Sequence, residues 1–117
     1  YSWEIFIDNA KHRIRQNPFE WSKILVDNGV GELMITSIDF EGRMLGFDFE
    51  LLRGINDLNL RVPFTVSGGI ATKQHISKIF SNSNCSGVII ASALHYNKVS
   101  VNEIKHGLKS DKLIFRV

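Results

Sequence analysis

One pattern constrains this chain more than any other, and it occurs three times. An apolar run of strand length leads into a polar or glycine-bearing loop, and the loop leads into a helix-like segment. Leu33 to Ile38 runs into Asp39-Phe40-Glu41-Gly42 and on through Gly46 to Asp48. Val62 to Val66 runs into Ser67-Gly68-Gly69, and Gly87 to Ala91 runs into Ser92. Continuous apolar runs, as opposed to alternating ones, are the pattern of strands covered on both faces. The fold class that follows is α/β, with parallel strands joined by helical crossovers. Such units close either a doubly wound sheet or an eight-stranded barrel, and in both the chemistry sits at the carboxyl ends of the strands.

Local signals mark the element boundaries. Tyr1 to Ile7 reads as a short strand with Trp3, Ile5 and Ile7 on one face, and Asp8 to Gln16 as a loop. Asn17-Pro18-Phe19-Glu20 is a helix start, followed by Trp21, Ile24 and Leu25 on one face and an exit at Asn28-Gly29. Asp48 caps a helix carrying Leu51, Leu52, Ile55 and Leu58. Thr72 opens another with Ile76, Ile79 and Phe80 facing inward. Ser100 and Glu103 form a capping box for a last one with Val101, Ile104 and Leu108. Lys112 to Val117 is an apolar tail that could pair or pack at an edge. The expected order is strand–helix and then strand–helix three times, a single segment over 1–117. Three or four strands cannot close a barrel. A half-barrel leaves two strand edges and an apolar interior face bare, so it must pair with another half or self-associate.

Composition removes several classes. The formal net charge is +2 with no run of five like charges, so nothing points to nucleic acid. The one basic cluster, Lys11, His12, Arg13 and Arg15, reads as a solvated loop in preference to an anion site. A single cysteine, Cys85, excludes an internal disulfide and a cysteine-based metal cage, and a reducing, cytoplasmic compartment suits it. The four histidines, His12, His75, His95 and His106, have no metal-ligand spacing, and His75 and His106 are expected to be exposed on helices. No metal or organic cofactor is expected. No apolar segment approaches the roughly 20 residues that span a bilayer, and no signal peptide opens the chain. A start at Tyr1 in place of a methionine is what a fragment of a longer protein would show.

Two places could carry chemistry. Ser67-Gly68-Gly69 follows a strand directly, where glycines let backbone amides approach an anion and the next helix N-terminus adds partial positive charge. Ser92 ends the neighbouring strand and could add a hydroxyl and an amide. Two glycines also make a plain turn, but the repetition at consecutive strand ends favours phosphate. Asp39 and Glu41, just past the first buried strand, could orient hydroxyls or act as acid and base, or Asp39 could simply be a turn residue. Their spacing does not separate these readings. Glu32, at the other end of that strand, reads as a solvated strand start.

Several of these stretches carry a resemblance. Gly29-Val30-Gly31-Glu32, Thr36-Ser37-Ile38-Asp39 with Gly42 and Gly46-Phe47-Asp48, Ser67-Gly68-Gly69, and Ile90-Ala91-Ser92-Ala93-Leu94-His95-Tyr96 come in the order and at the spacing of one family. The chain resembles the carboxyl-terminal half of the cyclase subunits of imidazole glycerol phosphate synthase, (β/α)8 barrels of the ribulose-phosphate-binding type that act in histidine biosynthesis. The resemblance implies that Ser67, Gly68, Gly69, Ala91 and Ser92 hold one phosphate of a two-phosphate substrate. It places Thr36, Asp39, Glu41 and Gly42 at the active-site mouth. Glu32 falls at the face where ammonia enters from a glutaminase partner. It also implies that both catalytic aspartates belong to strands upstream of Tyr1, so no catalytic residue is expected in this segment.

The chain departs from the family pattern at three points. Glu41 stands where an aspartate is usual, Arg43 where a small hydroxyl residue is usual, and Arg13-Ile14-Arg15-Gln16 where a Thr-Gly pair is usual. A bulky arginine at the mouth is expected to crowd or recharge the pocket. That would suit the divergent relatives linked to sugar amidation in surface-polysaccharide synthesis. A reading of a different class is a non-catalytic phosphate-binding or assembly half-barrel.

Overall fold

Each of the longer helices begins where a side chain can accept from amides that the first turn leaves unpaired. In the computed structural model, which describes residues 2–109 and 113, helix α1 spans Pro18–Asp27. Asn17 Oδ1 accepts from the amides of Phe19 at 2.8 Å and Glu20 at 3.4 Å. The helix leaves through Gly29 at φ +92°. Helix α2 (Phe49–Asp57) starts on Asp48, whose Oδ1 accepts from Glu50 and Leu51 at 3.1 and 3.0 Å. Helix α3 (Lys73–Asn82) starts on Thr72. A short helix α4 (Ser92–His95) and a final α5 (Val101–Leu108) follow, and at α5 the Ser100–Glu103 box is reciprocal. The caps anticipated from sequence are therefore those observed.

Strands β3 (Leu33–Thr36), β4 (Phe64–Ser67) and β5 (Gly87–Ile89) form one parallel sheet in that order, alternating with helices along the chain. The register aligns Leu33 with Phe64, Ile35 with Val66 and Val88, and Thr36 with Ser67 and Ile89. Period-2 geometry then sorts the residues into two faces. Leu33, Ile35, Phe64, Val66 and Val88 face the core with the helices, where Leu52, Ile55, Ile76, Ile79 and Leu108 are almost fully buried, as is Phe47 from the loop before α2. The other face carries Met34, Thr36, Thr65, Ser67 and Ile89, and no helix among the described residues covers it. Met34 is 65 % exposed.

Among the described residues the helices cover one face of the sheet, and the other is bare as a half-barrel requires. Other expectations from sequence are corrected. The first expected strand does not join the sheet. Its core becomes β1 (Ile5–Ile7), which pairs antiparallel with β2 (His12–Ile14), so Asp8 to Gln16 is half hairpin and not a plain loop. The turn runs through Asp8, Asn9 and Ala10, all at positive φ. Two members of the basic cluster pair on this ribbon: Arg13 with Glu4, and His12, whose Nε2 lies 3.6 Å from Asp8 Oδ2. On α1 the buried residues are Ser22 and Val26, while Ile24 is exposed, and on α5 Val101 is exposed. The tail from Lys112 lies outside the described residues except for Leu113, which packs against the core.

Helices α1 and α2 meet at a glycine. A Cβ built on Gly54 would fall 2.5 Å from Phe19 Cε1. Alanine at an exposed helix interior gains about 1 kcal/mol over glycine, whereas overpacking costs about 1–3 kcal/mol. The contact should win. Gly54→Ala is expected to destabilise the chain by about 1 kcal/mol in urea unfolding, and the same substitution in a Phe19→Leu background should be neutral or stabilising.

Candidate functional site

The carboxyl ends of β3, β4 and β5 share one small recess. Glu41, Gly42 and Met44 line it from the β3–α2 loop, Gly68, Gly69 and Ile70 from the loop after β4, and Ile89, Ala91 and Ser92 from the end of β5. The loops are bonded to each other by their backbones. Ser37 donates to Ser67 O at 2.9 Å, and Gly46 donates to Gly69 O at 2.9 Å.

That backbone contact explains the glycines more directly than an anion does. Gly68 sits at φ +115°, and a Cβ there would fall 2.5 Å from Ser37 O. Gly69 sits at φ +76°, and a Cβ would fall 2.2 Å from Gly46 O. No side chain fits at either place, because the neighbouring loop's carbonyls occupy the space.

Of the residues singled out from sequence, Gly68, Gly69, Ala91, Ser92, Glu41 and Gly42 come together around the recess. Ser67 ends β4 beside it. Thr36 ends β3 on the open face, in register with Ser67, outside the recess lining. Asp39 lies in a 3-10 turn (Ile38–Phe40), exposed and also outside the lining. Glu32 precedes β3 at the opposite end of the sheet and is exposed. Two further expectations change. Arg43 does not enter the recess, since its Nη1 donates to Asp39 O at 3.2 Å and folds the side chain onto its own loop. The helix whose start lines the recess is α4 through Ser92, not α3. The first turn of α3 is closed by Thr72, whose Oγ1 accepts from His75 N at 3.2 Å. Met44, Ile70 and Ile89 complete the lining and were not singled out from sequence. Met44 holds a left-handed φ of +56° that its residue type does not announce.

A wider cleft of about 540 Å³ is lined in part by the same β3–α2 loop. Trp3, Phe40, Phe47, Phe49, Asp48 and His75 are among its walls. Trp3 Nε1 donates to Asp48 Oδ2 at 3.0 Å, and Lys78 Nζ stands 3.9 Å from the Phe49 ring centroid. His75, expected to be exposed, is half-buried here. Its Nδ1 accepts from Ala71 N at 3.3 Å. Burial, and secondarily the charge of Lys78, lowers its pKa from 6.5. Cys85 is buried, and burial pushes its thiol pKa up, so it has the environment of an unreactive thiol. Among the described residues no group of three or more His, Cys, Asp or Glu side chains is placed to hold a metal ion, and no helix is long and apolar enough to cross a membrane.

Residues 2–100 match the family model described as histidine biosynthesis protein. The chain belongs to that family. Its parallel strand–helix alternation is accordingly part of a (β/α)8 barrel, the barrel type of the histidine biosynthesis proteins. It is similar to imidazole glycerol phosphate synthase subunit HisF of Prochlorococcus marinus (strain MIT 9211), 32% identical over 97% of this chain and 44% of that protein. The subunit HisF of Synechococcus sp. (strain ATCC 27144) is 32% identical over 95% of this chain and 43% of that protein, and that of Streptococcus gordonii 30% over 99% and 46%. The chain thus spans less than half the length of these relatives.

The two kinds of glycine at the recess should behave differently. Gly42 also has a left-handed φ, +74°, but a Cβ there would meet nothing within 4 Å. Gly42→Ala should therefore cost only the conformational strain, about 1–2 kcal/mol. Gly69→Ala adds a backbone clash, and its loss should exceed that of Gly42→Ala by about 1–3 kcal/mol in urea unfolding.

Proposed function

We propose that the full-length protein is the cyclase of an imidazole glycerol phosphate synthase. It would use ammonia released by a glutaminase partner to close an imidazole ring in histidine biosynthesis. In this reading the segment supplies one substrate-phosphate site and part of the barrel wall. The observation that carries it is the recess built from three consecutive strand ends, in a chain whose relatives are named as subunits of that synthase. Backbone amides around Gly68 and Gly69, together with the Ser92 hydroxyl, would hold the phosphate, and Ala91 would let it approach. Glu41 and Gly42 would border the substrate, with Thr36 and Asp39 nearer the mouth.

The acid and base groups that protonate and deprotonate the reacting centres would come from the part of the barrel outside these 117 residues. No residue here is assigned that work, and the reaction needs no metal or organic cofactor. Glu32 would lie at the amino-terminal face, where ammonia enters. The open sheet face with Met34 and Ile89, and the free edges of β3 and β5 among the described residues, would be covered by the remaining strands. This accounts for the bare apolar surface without self-association. Of the departures that suggested a sugar-amidating relative, Arg43 lies outside the recess, whereas Glu41 borders it.

The test is growth. The full-length gene should restore histidine-independent growth to a strain lacking the cyclase subunit, and failure despite good expression would overturn the assignment. At the site itself, inorganic phosphate should protect the full-length protein in thermal unfolding. Ser92→Ala should weaken phosphate binding by roughly two- to tenfold, the worth of one neutral hydrogen bond. Ser92→Glu should remove the protection by placing a like charge in the recess.

A further inference from the structure

The bond between Ala71 and His75 has no part in the assignment above, yet it ties down both sides of the recess. Nδ1 of His75 accepts the Ala71 amide at 3.3 Å, two residues after the Gly68-Gly69 pair. The same ring lies beside the neighbouring loop. Its Cδ2, Nε2 and Cε1 atoms lie 3.6–3.8 Å from where a Cβ on Gly46 would stand. Gly46 in turn donates to Gly69 O at 2.9 Å. One imidazole is therefore hydrogen-bonded to the β4–α3 loop and stands beside Gly46 of the β3–α2 loop at the edge of one cleft, and those loops supply six of the nine residues around the recess.

We propose that His75 is a positioning residue that clamps these two loops in their anion-binding arrangement only while its ring is neutral. The inference rests on the phosphate reading of the recess. A ring that accepts at Nδ1 must carry its proton on Nε2, and a second proton turns Nδ1 into a donor facing another donor, the Ala71 amide. The clamp then opens on the side of the glycine loop. The charged groups around the ring are Lys78 on its own helix, and Asp48 and Glu50 from the start of α2 across the cleft. Asp48 is already engaged by the Glu50 and Leu51 amides and by Trp3 Nε1. Lys73, on the preceding turn, reaches away to Gly107 O at 3.4 Å. Burial and Lys78 hold the ring pKa below 6.5, so the folded state prefers the neutral form. The stabilisation this gives is complete above that value and is lost as pH falls through the lowered folded pKa.

Sulfate separates this effect from the titration of phosphate itself, because it stays a dianion across the range. For the full-length native protein, sulfate affinity should fall, by roughly tenfold once the ring is fully protonated, as pH is lowered from about 8 through the His75 titration, the worth of one lost hydrogen bond and its alignment. Simple attraction to a newly cationic ring would act in the opposite direction. His75→Asn, whose Oδ1 can accept the Ala71 amide without titrating, should bind like the native protein at the higher pH and stay nearly as tight at the lower. His75→Phe, which keeps a ring but has no acceptor, should bind weakly at both. An amide readout needs no ligand. The Ala71 N–H resonance should titrate together with the His75 ring in the native protein and stay flat in His75→Asn. A native and an Asn variant that lose sulfate in parallel, or an Ala71 amide blind to the His75 titration, would overturn the clamp. Absence of any sulfate or phosphate binding while that amide still titrates would instead overturn the phosphate reading, and with it the role given to the clamp.

Discussion

The close approach of two backbone loops organises everything at the working end of this segment. After β3 and after β4 the chain runs so near itself that Ser37 O stands where a Cβ on Gly68 would go, and Gly46 O where a Cβ on Gly69 would go. The Gly46–Gly69 hydrogen bond closes this contact, and Ser37–Ser67 extends the sheet ladder into it. Removing side chains from Gly68 and Gly69 does two things at once. It permits the left-handed backbone of the turn, and it brings three strand ends close enough to share one concave surface. A phosphate cradle and a tight loop–loop junction make the same demand here, so the glycines cannot be read as evidence for only one of them.

The sheet is finished on one side and not on the other. Leu33, Ile35, Phe64, Val66 and Val88 face a helix layer with almost fully buried apolar residues, while Met34 and Ile89 face outward. An apolar face of this kind is stable only when something covers it. The relatives are more than twice the length of this chain, and in a barrel the covering comes from further strands of the same sheet curling round. The two ends of β3 follow from that geometry. One carries Glu32, and the other leads through Ser37 into the loop that borders the recess.

Much of this was legible in the residues. Asn17, Asp48, Thr72 and Ser100 cap the helices they were expected to cap, because a capping side chain acts within three or four residues of itself. Ser67-Gly68-Gly69 and Ser92 stood out as candidates because each sits directly after an apolar run, and Gly68, Gly69 and Ser92 do line one recess. The hairpin was not legible. His12-Arg13-Ile14 lacks apolar alternation, and its turn uses Asp8, Asn9 and Ala10 where a glycine signal would be usual. Arg43 was misjudged because its neighbourhood in sequence is the mouth of the pocket, whereas its hydrogen bond to Asp39 O turns it back on its own loop. Met44 and Ile70 belong to the recess through loop geometry, and Ile89 through its place at the end of β5.

By itself the sequence determined the alternation of strands and helices, their caps, the family, and the short list of residues at the strand ends. These are consequences of local propensity, periodicity and spacing, which act along the chain. Tertiary structure alone decided which sheet face lies bare, which of the candidate residues share one recess, and why glycine is demanded at two of them. It also moved His75 from a presumed surface position to the junction of two loops. Such facts depend on contacts between residues tens of positions apart, whose distances no local pattern encodes.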